Sequence, residues 1–392
     1  MIHGPVKGRI IVFGILFGYP LAGIIYQFLH YLLGLRQLGW DVYYVEDSAR
    51  WLYDLQLGDL TPDASPNIDA VVPVLERFGF GDRWAFRGAY PGGRCYGMGE
   101  AQLLKLYREA DGFLNVTGGQ EIRDEHMRCP RRIYVESDPF SSQVKLANGD
   151  ARMAALLEAH DTHFTFAENI GAADCAIPPG PYTWLPTRQP VALALWDGGS
   201  AIGGDRYSTI TTWKNRDKHV VHRGETYHWT KDREFERYLD LPRQRHDVRF
   251  ELATMVPDDV RAVLIANGWS HVDPADAARD IDAYRAYISS SRGEFTVARD
   301  QYVRPNTGWF SDRSACYLAA ARPVITQETG FAKTLPTGKG LFGFSSMQEV
   351  LAAVDAIESD YAGNCRAARE MAAEYFAAEH VIASLMSRAG LG

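Results

Sequence analysis

The segment from residue 10 to 35 contains no Asp, Glu, Lys or Arg, and it constrains the fold more than any other feature of the sequence. A run of that length is long enough to span a membrane. Gly14, Gly18 and Pro20, however, interrupt it in the middle in a way that is typical of a turn. We therefore interpret it as the start of a βαβ unit. The predicted elements are a strand at 9–15, a helix at 21–38 and a strand at 41–45.

Strand and helix patterns continue to alternate through the first half of the chain. The predicted strands are 112–116, 132–136 and 162–167, and the predicted helices are 67–78, 99–110 and 151–159. Buried strands separated by helices indicate a mostly parallel, doubly wound sheet. Ligands bind such sheets at the carboxyl ends of the strands. Tyr19, Thr117, Asp138 and Glu168 each follow a predicted strand, so we expect them to share one rim.

The chain length favours two domains, because 392 residues exceed the size at which a single core usually stops growing. The prolines within 177–181 are the strongest linker signal, and we place the domain boundary at residue 180. A second α/β series follows, with strands at 207–212, 248–252, 293–297 and 323–326 and helices at 231–239, 257–267, 276–290, 313–321, 346–357 and 362–386. The sequence thus predicts an α/β fold with domains at 1–180 and 181–361.

Charge and cysteine usage argue against several classes of protein. The net charge of −8 disfavours broad, sequence-independent binding of DNA or RNA, which needs a basic surface. We interpret the strip of Lys214, Arg216, Lys218, His222 and Arg223 as a solvated loop. The five cysteines are scattered and form no C-x-x-C pair, which fits neither a zinc site nor a disulfide framework. No signal-peptide cleavage site precedes the second strand, so a soluble, cytoplasmic protein without an integral membrane span is predicted.

The most informative stretch runs from residue 308 to 330. Ser311, Asp312, Arg313 and Ser314 open a helix of small residues there. Free N–H groups at a helix N-terminus form an anion site, so the two serines are candidates to hold a diphosphate and Arg313 to neutralise it. Asp312 suits ribose hydroxyls better than phosphate. The alternative is that Ser311 or Asp312 only caps the helix.

This stretch resembles the donor-binding segment of two-domain (GT-B) glycosyltransferases. The resemblance rests on Phe-Ser-Asp-Arg-Ser at 310–314, Tyr-Leu-Ala-Ala-Ala-Arg-Pro-Val-Ile at 317–325 and Gln-Glu-Thr-Gly at 327–330. It is strongest over 293–344. It implies two Rossmann-like domains that face a cleft, the first for the acceptor and the second for a nucleotide-sugar.

The resemblance also implies roles for individual residues. Asp312 would hold the ribose, and Gln327 and Glu328 would face the sugar, in a turn completed by Thr329 and Gly330. The last helix, within 362–392, resembles the helix that crosses back to the N-terminal domain in this fold. The pair of glutamates seven residues apart that is common in retaining families is absent here, which leaves the subfamily and the stereochemical outcome open.

Two further loops fit the same interpretation. The turn containing Gly14, Gly18 and Tyr19 departs from G-x-G-x-x-G, which makes an NAD site a weak reading. In GT-B enzymes the equivalent loop faces the acceptor and the donor phosphates, where glycines let the backbone approach closely. Thr211 and Thr212 end the first predicted strand of the second domain, where this fold cradles the diphosphate. Trp213 either packs on the nucleotide or belongs to the core.

Sugar transfer to a hydroxyl needs a general base near the acceptor. Asp138 is the first candidate, followed by Glu136 and Glu168, although Asp138 also suits a simple turn before Pro139. Two histidine clusters lack a settled metal geometry and are interpreted as structural. They comprise His160 with His163, and His219 with His222 and His228. Because helix ends and arginine can handle donor phosphates in this fold, no metal or other cofactor is expected.

The sequence therefore predicts metal-independent transfer of a hexosyl or related sugar from a nucleotide-sugar to an acceptor hydroxyl. A nucleotide-sugar 2-epimerase and a non-catalytic, two-lobed sugar- or nucleotide-binding protein remain alternatives. A small molecule or a glycan is favoured over nucleic acid as the acceptor. The aromatic residues that either line an acceptor site or form a lid are Tyr53, Trp84, Phe86, Tyr90 and Tyr96.

Overall fold

The computed structural model describes residues 6–47, 52–54, 59–88, 93–197, 203–215 and 218–392; Tyr90 and Arg216 lie outside these ranges. The strands are β1 (Arg9–Phe13), β2 (Asp41–Glu46), β3 (Leu52–Asp54), β4 (Asp59–Thr61), β5 (Trp84–Arg87), β6 (Cys95–Gly97), β7 (Gly112–Val116), β8 (Arg132–Glu136), β9 (Thr162–Thr165), β10 (Trp184–Pro186), β11 (Arg206–Ile210), β12 (Val220–His222), β13 (Glu225–Tyr227), β14 (Arg249–Ala253), β15 (Ser270–Val272), β16 (Gly293–Thr296), β17 (Val324–Gln327) and β18 (Leu341–Phe344).

The α-helices are α1 (Ala22–Gln37), α2 (Ser65–Arg77), α3 (Glu100–Glu109), α4 (Ser141–Ala147), α5 (Ala151–Glu158), α6 (Asp232–Glu236), α7 (Leu241–Gln244), α8 (Asp258–Ala266), α9 (Pro274–Ala278), α10 (Ile281–Ser289), α11 (Asp300–Val303), α12 (Asp312–Ala319), α13 (Met347–Ser359), α14 (Tyr361–Met371) and α15 (Ala378–Arg388).

Within the described ranges, the first sheet has the strand order β10-β9-β8-β7-β1-β2-β5-β6. Its strands are parallel, except that β6 runs antiparallel to β5. Both faces are covered, because Ile10 and Val12 pack in one apolar cluster and Ile11 and Phe13 in another. This explains why β1 is a continuous apolar run. The order reverses between β1 and β7, and such switch points are where doubly wound sheets bind ligands.

The second sheet has the order β15-β14-β11-β16-β17-β18, and all of its strands are parallel. Its switch point lies between β11 and β16. Phe250, Leu252, Phe295 and Ile325 form part of the apolar cluster on one face of this sheet. The predicted fold class, two Rossmann-like parallel-sheet domains, is confirmed.

Several predicted elements are shorter or divided. The predicted helix at 276–290 is two helices, because Asp280 accepts a hydrogen bond from the Ala283 amide at 2.7 Å and starts α10 anew. The predicted helix at 362–386 is divided into α14 and α15 by a π-helical segment at Ala372–Phe376. A capping side chain or a π-helical turn interrupts a helix without changing its apolar periodicity. The periodicity therefore predicted one helix where the structure has two.

The first sheet continues past the predicted boundary at residue 180. Its edge strand β10 pairs with β9, with Trp184 opposite His163. The proline-rich segment at 177–181 therefore precedes a strand of the first sheet. Pro186 is accommodated because an edge strand needs hydrogen-bond donors on one side only. The chain passes to the second sheet after β10.

The uncharged run of residues 10–35 is explained by burial. Phe28, Leu29, Tyr31 and Leu32 of α1 have no exposed surface, since this helix is packed against the first sheet and against other helices. In the part of the chain that the structure describes, no helix combines the length and the apolarity needed to cross a membrane.

The last helix, α15, packs on α1 of the first domain. Val191 bridges the backbone at the start of α15. Its amide donates to Phe376 O at 2.7 Å, and its carbonyl accepts from the Ala378 amide at 2.9 Å. A Cβ atom at Gly34 would lie 2.5 Å from Ile382 Cδ1 and 2.9 Å from Ala378 Cβ. The close approach of α1 and α15 therefore requires glycine at position 34.

We expect Gly34→Ala to lower the free energy of unfolding by about 1–3 kcal/mol, because the new methyl group overpacks the contact between α1 and α15. Gly23→Ala on the same helix is the matched control, since its Cβ would meet only Tyr284 Oη at an ordinary 3.5 Å. That control gains helix propensity and should be neutral or stabilising. Urea denaturation of both variants measures the difference, and equal stabilities would contradict the packing argument.

Candidate active site

The carboxyl edges of the two sheets face each other. Asp138, which follows β8, accepts hydrogen bonds from Arg299 Nη1 at 3.2 Å and from the Tyr302 hydroxyl. Trp309 Nε1 donates to Ser137 O at 2.9 Å. Asp138 and Ser137 lie at the ligand-binding edge of the first sheet, whereas their three partners belong to the second domain. The rim of the first sheet that was predicted from the sequence therefore contacts the second domain at Asp138 and Ser137.

Asp138 has one oriented oxygen and one open oxygen. Both hydrogen bonds end on its Oδ1 atom. Among the described residues, Oδ2 has no hydrogen-bond partner, and the side chain is 43% exposed. Arg299 is itself held in place, since its guanidinium carbon lies 3.8 Å from the centroid of the Trp229 ring. This geometry leaves Oδ2 able to accept a hydrogen bond from a ligand hydroxyl.

The other two predicted bases are used inside the protein. Glu136 is buried, and its Oε2 accepts from Gln143 Nε2 at 2.6 Å and from Thr165 Oγ1 at 2.7 Å. Burial raises the pKa of Glu136 to about 7. Glu168 forms an ion pair with Arg188 at 2.5 Å, and its side chain is 9% exposed. Both carboxylates are less exposed than Asp138, although Glu136 Oε1 has no hydrogen-bond partner, so Asp138 is the most accessible of the three candidate bases.

The first turn of α12 presents free backbone N–H groups. The amide of Ala315 is the first to bond within the helix, to Ser311 O at 3.0 Å, so the preceding amides in this turn lack intrahelical partners. The Ser311 side chain makes no capping hydrogen bond, which rules out a capping role for it. Burial, and secondly the charge of Asp138, raise the pKa of Asp312 to about 7.

Arg313 does not point at a ligand, which corrects its prediction as a phosphate partner. Its Nε donates to Glu294 Oε1 at 2.6 Å, its Nη1 to Ile210 O at 2.7 Å and its Nη2 to Thr296 Oγ1 at 2.9 Å. All three nitrogens are therefore used within the second domain. Arg313 ties the first turn of α12 to β11 and β16 instead of binding a ligand directly.

Lys231, directly before α6, is a buried amine that makes no ion pair among the described residues. It is 6% exposed, and within the same ranges it makes no side-chain hydrogen bond. Burial, followed by the charges of Arg313 and Arg299, holds its pKa well below the usual value. Lys231 is thus coupled electrostatically to both arginines, and also to Glu294. An ammonium in such surroundings is stabilised by binding an anion.

Two unpaired hydroxyls lie around the same arginine. Ser314 Oγ and Thr211 Oγ1 are buried and have no hydrogen-bond partner among the described residues. Ser314 belongs to the first turn of α12, and Thr211 directly follows Ile210, whose carbonyl accepts from Arg313. Buried hydroxyls without partners cost about 1–3 kcal/mol each, so this cluster favours a polar ligand. Thr212 is exposed nearby.

Trp213 belongs to the core. It is 4% exposed and stacks on Phe235, with ring centroids 5.5 Å apart and an interplanar angle of 19°. Its indole faces are therefore covered by protein. This decides between the two readings of Trp213 in favour of packing.

The turn after β17 is stabilised by its own side chains. Gln327 is 2% exposed, donates to Glu234 Oε2 at 2.6 Å and accepts from the Ala298 amide at 3.0 Å. Glu328 Oε1 accepts from the amides of Thr329 at 3.0 Å and Gly330 at 2.6 Å. The side-chain amide of Gln327 is therefore occupied within the protein, which corrects the expectation that it faces a sugar. Glu328 shapes the turn through Oε1, and its contact with a sugar stays a prediction.

Thr329 and Gly330 also have structural roles. Thr329 Oγ1 donates to Trp309 O at 2.5 Å. Gly330 has φ +99°, and a Cβ atom there would lie 2.6 Å from Asn306 Oδ1. These contacts join the turn after β17 to the segment that leads into α12.

The glycine turn after β1 satisfies its own amides. Phe17 N donates to Glu46 Oε1 at 2.5 Å, Gly18 N to Glu46 Oε2 at 3.0 Å and Leu16 N to the Tyr44 hydroxyl at 2.7 Å. The Glu46 carboxyl group and the Tyr44 hydroxyl thus already accept from these three amides, which are not free to bind donor phosphates.

Gly14 is required for packing inside this turn. A Cβ atom at that position would lie 2.1 Å from Phe28 Cε1, in the ring of a buried α1 residue. Tyr19, the third residue predicted in this loop, has a side chain that is 39% exposed. Of the three residues predicted in this loop, Tyr19 alone offers its side chain to a ligand.

Glu46 makes stability depend on pH. Burial raises its pKa to about 8, above the ordinary value of 4.5. Between these two pH values the unfolded chain releases the proton while the folded chain retains it, so stability falls as pH rises through this window. We expect Glu46→Gln to reduce that fall, because the amide does not titrate.

Thermal or urea denaturation from pH 5 to pH 8 measures the effect of Glu46→Gln on the slope of stability against pH. The slope should shrink without vanishing, since the raised pKa values of Glu136 and Asp312 act over part of the same range. An unchanged slope would contradict the role given to Glu46.

One group of three potential metal ligands exists in the described part of the chain: Asp47, Glu125 and His126, with ligand atoms within 4.8 Å of one another. Asp47 Oδ2 already accepts from Arg87 Nη2 at 2.8 Å and from Arg123 Nη2 at 2.6 Å. Two guanidinium groups therefore provide the positive charge that a metal would supply. The group fits a buried salt-bridge network better than a metal site.

Comparison with solved structures identifies the fold. The chain is similar over 98% of its length, and 99% of the other, to an alpha-glucosyltransferase in complex with UDP and a 13-mer DNA, with 10% identity and a TM-score of 0.56. A glycosyltransferase involved in avilamycin A biosynthesis matches over 98% of this chain and 97% of that one, with 11% identity and a TM-score of 0.54. Anabaena HepE, in complex with UDP and glucose, matches over 97% and 99%, with 10% identity and a TM-score of 0.52.

These full-length likenesses confirm the two-domain GT-B fold that the resemblance implied. No protein-family model matches the chain, and no curated protein matches it in sequence.

Sequence reasoning missed Lys231, Arg299 and Tyr302. One local signal pointed to Lys231: a lysine at the start of a helix opposes the helix dipole, which favours negative charge at that end. Arg299 and Tyr302 carry no such signal. Their relevance follows from their contact with Asp138, which is 161 and 164 residues away in the sequence.

Proposed function

We propose that this protein is a glycosyltransferase that transfers a sugar from a nucleotide-sugar to an acceptor hydroxyl. The observation that carries the proposal is a set of polar groups around Arg313: the buried Lys231, coupled to it electrostatically, the unpaired hydroxyls of Ser314 and Thr211, and the free amides that open α12. A diphosphate supplies a charge partner for the Lys231 ammonium, and it also accepts hydrogen bonds from free helix amides. The solved structures that contain UDP in this fold support a nucleotide-sugar as the ligand.

The donor would lie between Lys231 and the first turn of α12. The hydroxyls of Ser311, Ser314 and Thr211 are then donors to the phosphates. Asp312, whose pKa is about 7, suits the ribose hydroxyls because its carboxyl both donates and accepts at neutral pH. Lys231 and Arg299 supply positive charge without a metal, so the transfer is proposed to be metal-independent.

Asp138 would act as the general base. The acceptor oxygen attacks the anomeric carbon, and its proton passes to Asp138 Oδ2. The bond from that carbon to the phosphate oxygen breaks, and the nucleoside diphosphate leaves with the bonding electrons. Arg299 and Tyr302 orient the base through Oδ1, so the base is aligned only when the two domains are in contact.

The donor site is tested with Lys231→Met, which removes the charge and keeps most of the side-chain volume. We expect the Kd for UDP, or for whichever nucleoside diphosphate binds best, to rise roughly 10- to 100-fold, the loss of one charged hydrogen bond. Without ligand the variant should be as stable as the wild type or more stable, because a buried unpaired charge is removed. Calorimetric titration with EDTA present and thermal denaturation measure both effects.

Lys214→Met is the matched control, since Lys214 lies nearby but its side chain is 52% exposed. It should leave the Kd and the melting temperature unchanged. The donor assignment fails if no nucleoside diphosphate or nucleotide-sugar binds the wild type. It also fails if Lys231→Met binds as tightly as the wild type.

Asp138→Asn tests the base. The amide oxygen still accepts from Arg299 and Tyr302, but the side chain no longer takes a proton. We expect kcat to fall about 10²- to 10⁴-fold with the donor Kd unchanged. Tyr302→Phe removes one anchor and leaves the base, so its loss should be much smaller. A kcat for Asp138→Asn close to that of the wild type would remove Asp138 from the mechanism.

The same assay separates the two alternative functions. An epimerase converts the sugar of the donor without an acceptor, which analysis of the sugar product reveals. A non-catalytic binding protein retains the donor intact, with neither transfer nor hydrolysis. Transfer to an added acceptor hydroxyl distinguishes the proposed activity from both.

A further inference from the structure

An exposed aromatic platform lies on the first domain, where β3 is attached to the turn after β1. Tyr19 is 39% exposed and stacks on Tyr53, with ring centroids 6.1 Å apart and an interplanar angle of 17°. Leu21, which is 41% exposed, and Leu60, which is 49% exposed and pairs with Tyr53 in the β3–β4 ladder, extend the apolar surface. These four residues are the platform residues below.

The backbone behind the platform is held in place. Tyr53 N donates to Gly18 O at 2.9 Å, which attaches β3 to the turn after β1. Asn67 Nδ2 donates to Phe17 O at 2.7 Å and to Tyr53 O at 3.0 Å. Two aromatic rings on a fixed backbone bind a flat ligand face at little cost in conformational entropy.

The platform faces the same rim as the proposed base. The turn that carries Tyr19 follows β1, and Asp138 follows β8, which is two strands away in the sheet. Two strand spacings correspond to about 10 Å. The platform and Asp138 therefore follow strands of the same sheet edge, an arrangement that suits a ligand of more than one ring.

Charge identifies the kind of ligand. Residues 52–76 contain no Lys or Arg, and four acidic side chains among them are exposed: Asp59, Asp63, Asp69 and Glu76. This acidic surface repels nucleic acid, phosphorylated acceptors and anionic membranes. Carboxylates accept hydrogen bonds from sugar hydroxyls, while the apolar face of a sugar ring packs on aromatic side chains.

We propose that the platform binds a neutral sugar ring of an oligosaccharide acceptor. This inference rests on the proposed glycosyltransferase activity, and it specifies the acceptor as an uncharged glycan. Of the other aromatic residues considered for an acceptor site, Trp84 is 6% exposed and Phe86 is 1% exposed, so these two belong to the core.

The test is direct binding of neutral oligosaccharides to the full chain without donor. An array of gluco-, manno-, galacto- and N-acetylglucosamine oligosaccharides identifies a bound series, which is then titrated. We expect Tyr19→Ala to raise the glycan Kd roughly 3- to 10-fold, as expected for the loss of one stacking ring. Tyr19→Phe keeps the ring and should bind like the wild type. Ile265→Ala, at a residue of the second domain that is 58% exposed, controls for the loss of an apolar side chain elsewhere.

Three outcomes would overturn the proposal. The wild type binds no neutral oligosaccharide; Tyr19→Ala binds glycan as tightly as the wild type; or the platform instead mediates binding to vesicles of phosphatidylcholine or phosphatidylglycerol. Each variant is also titrated with UDP. An unchanged UDP Kd with weakened glycan binding supports the platform, whereas absence of nucleotide binding in every protein, the wild type included, indicates failure of the proposed function itself.

Discussion

The buried ion pair between Arg313 and Glu294 holds together the part of the second domain on which the candidate donor site depends. The same guanidinium donates to Ile210 O and Thr296 Oγ1, so one side chain joins α12 to β11 and β16. Breaking a buried charge pair by removing one partner costs about 3–5 kcal/mol. The first turn of α12, with its free amides, is therefore fixed in direction by contacts within the protein.

Lys231 shows the cost of preparing an anion site. Charging an amine that is 6% exposed and makes no ion pair is costly, and the nearby arginines add repulsion that Glu294 only partly offsets. Proteins retain such groups where they serve function, because the ligand supplies the missing interaction. The sequence analysis assigned phosphate binding to Arg313. In the structure Arg313 shapes the site, and Lys231 is available to the ligand.

The two domains contribute different chemistry. The second offers cations and helix amides, which suit a diphosphate. The first offers Asp138 and exposed aromatic residues. Its glycine turn is held by hydrogen bonds from two backbone amides to Glu46. Since Asp138 is oriented by Arg299 and Tyr302, the contact between the domains also aligns the proposed base with the proposed donor site.

The sequence by itself determined the alternation of strands and helices and nominated Asp138 and the turn at Ser311–Ser314, and its resemblance to glycosyltransferases implied the GT-B architecture. These features are local: apolar periodicity, glycine and proline breaks, and polar residues after a strand. Only the tertiary structure decided which polar side chains remain available to a ligand. Gln327 is occupied by Glu234, 93 residues away, and Arg313 by Glu294, 19 residues away. A hydrogen-bond partner on another strand or helix is chosen by the packing of the whole chain, and for that reason local pattern does not reveal it.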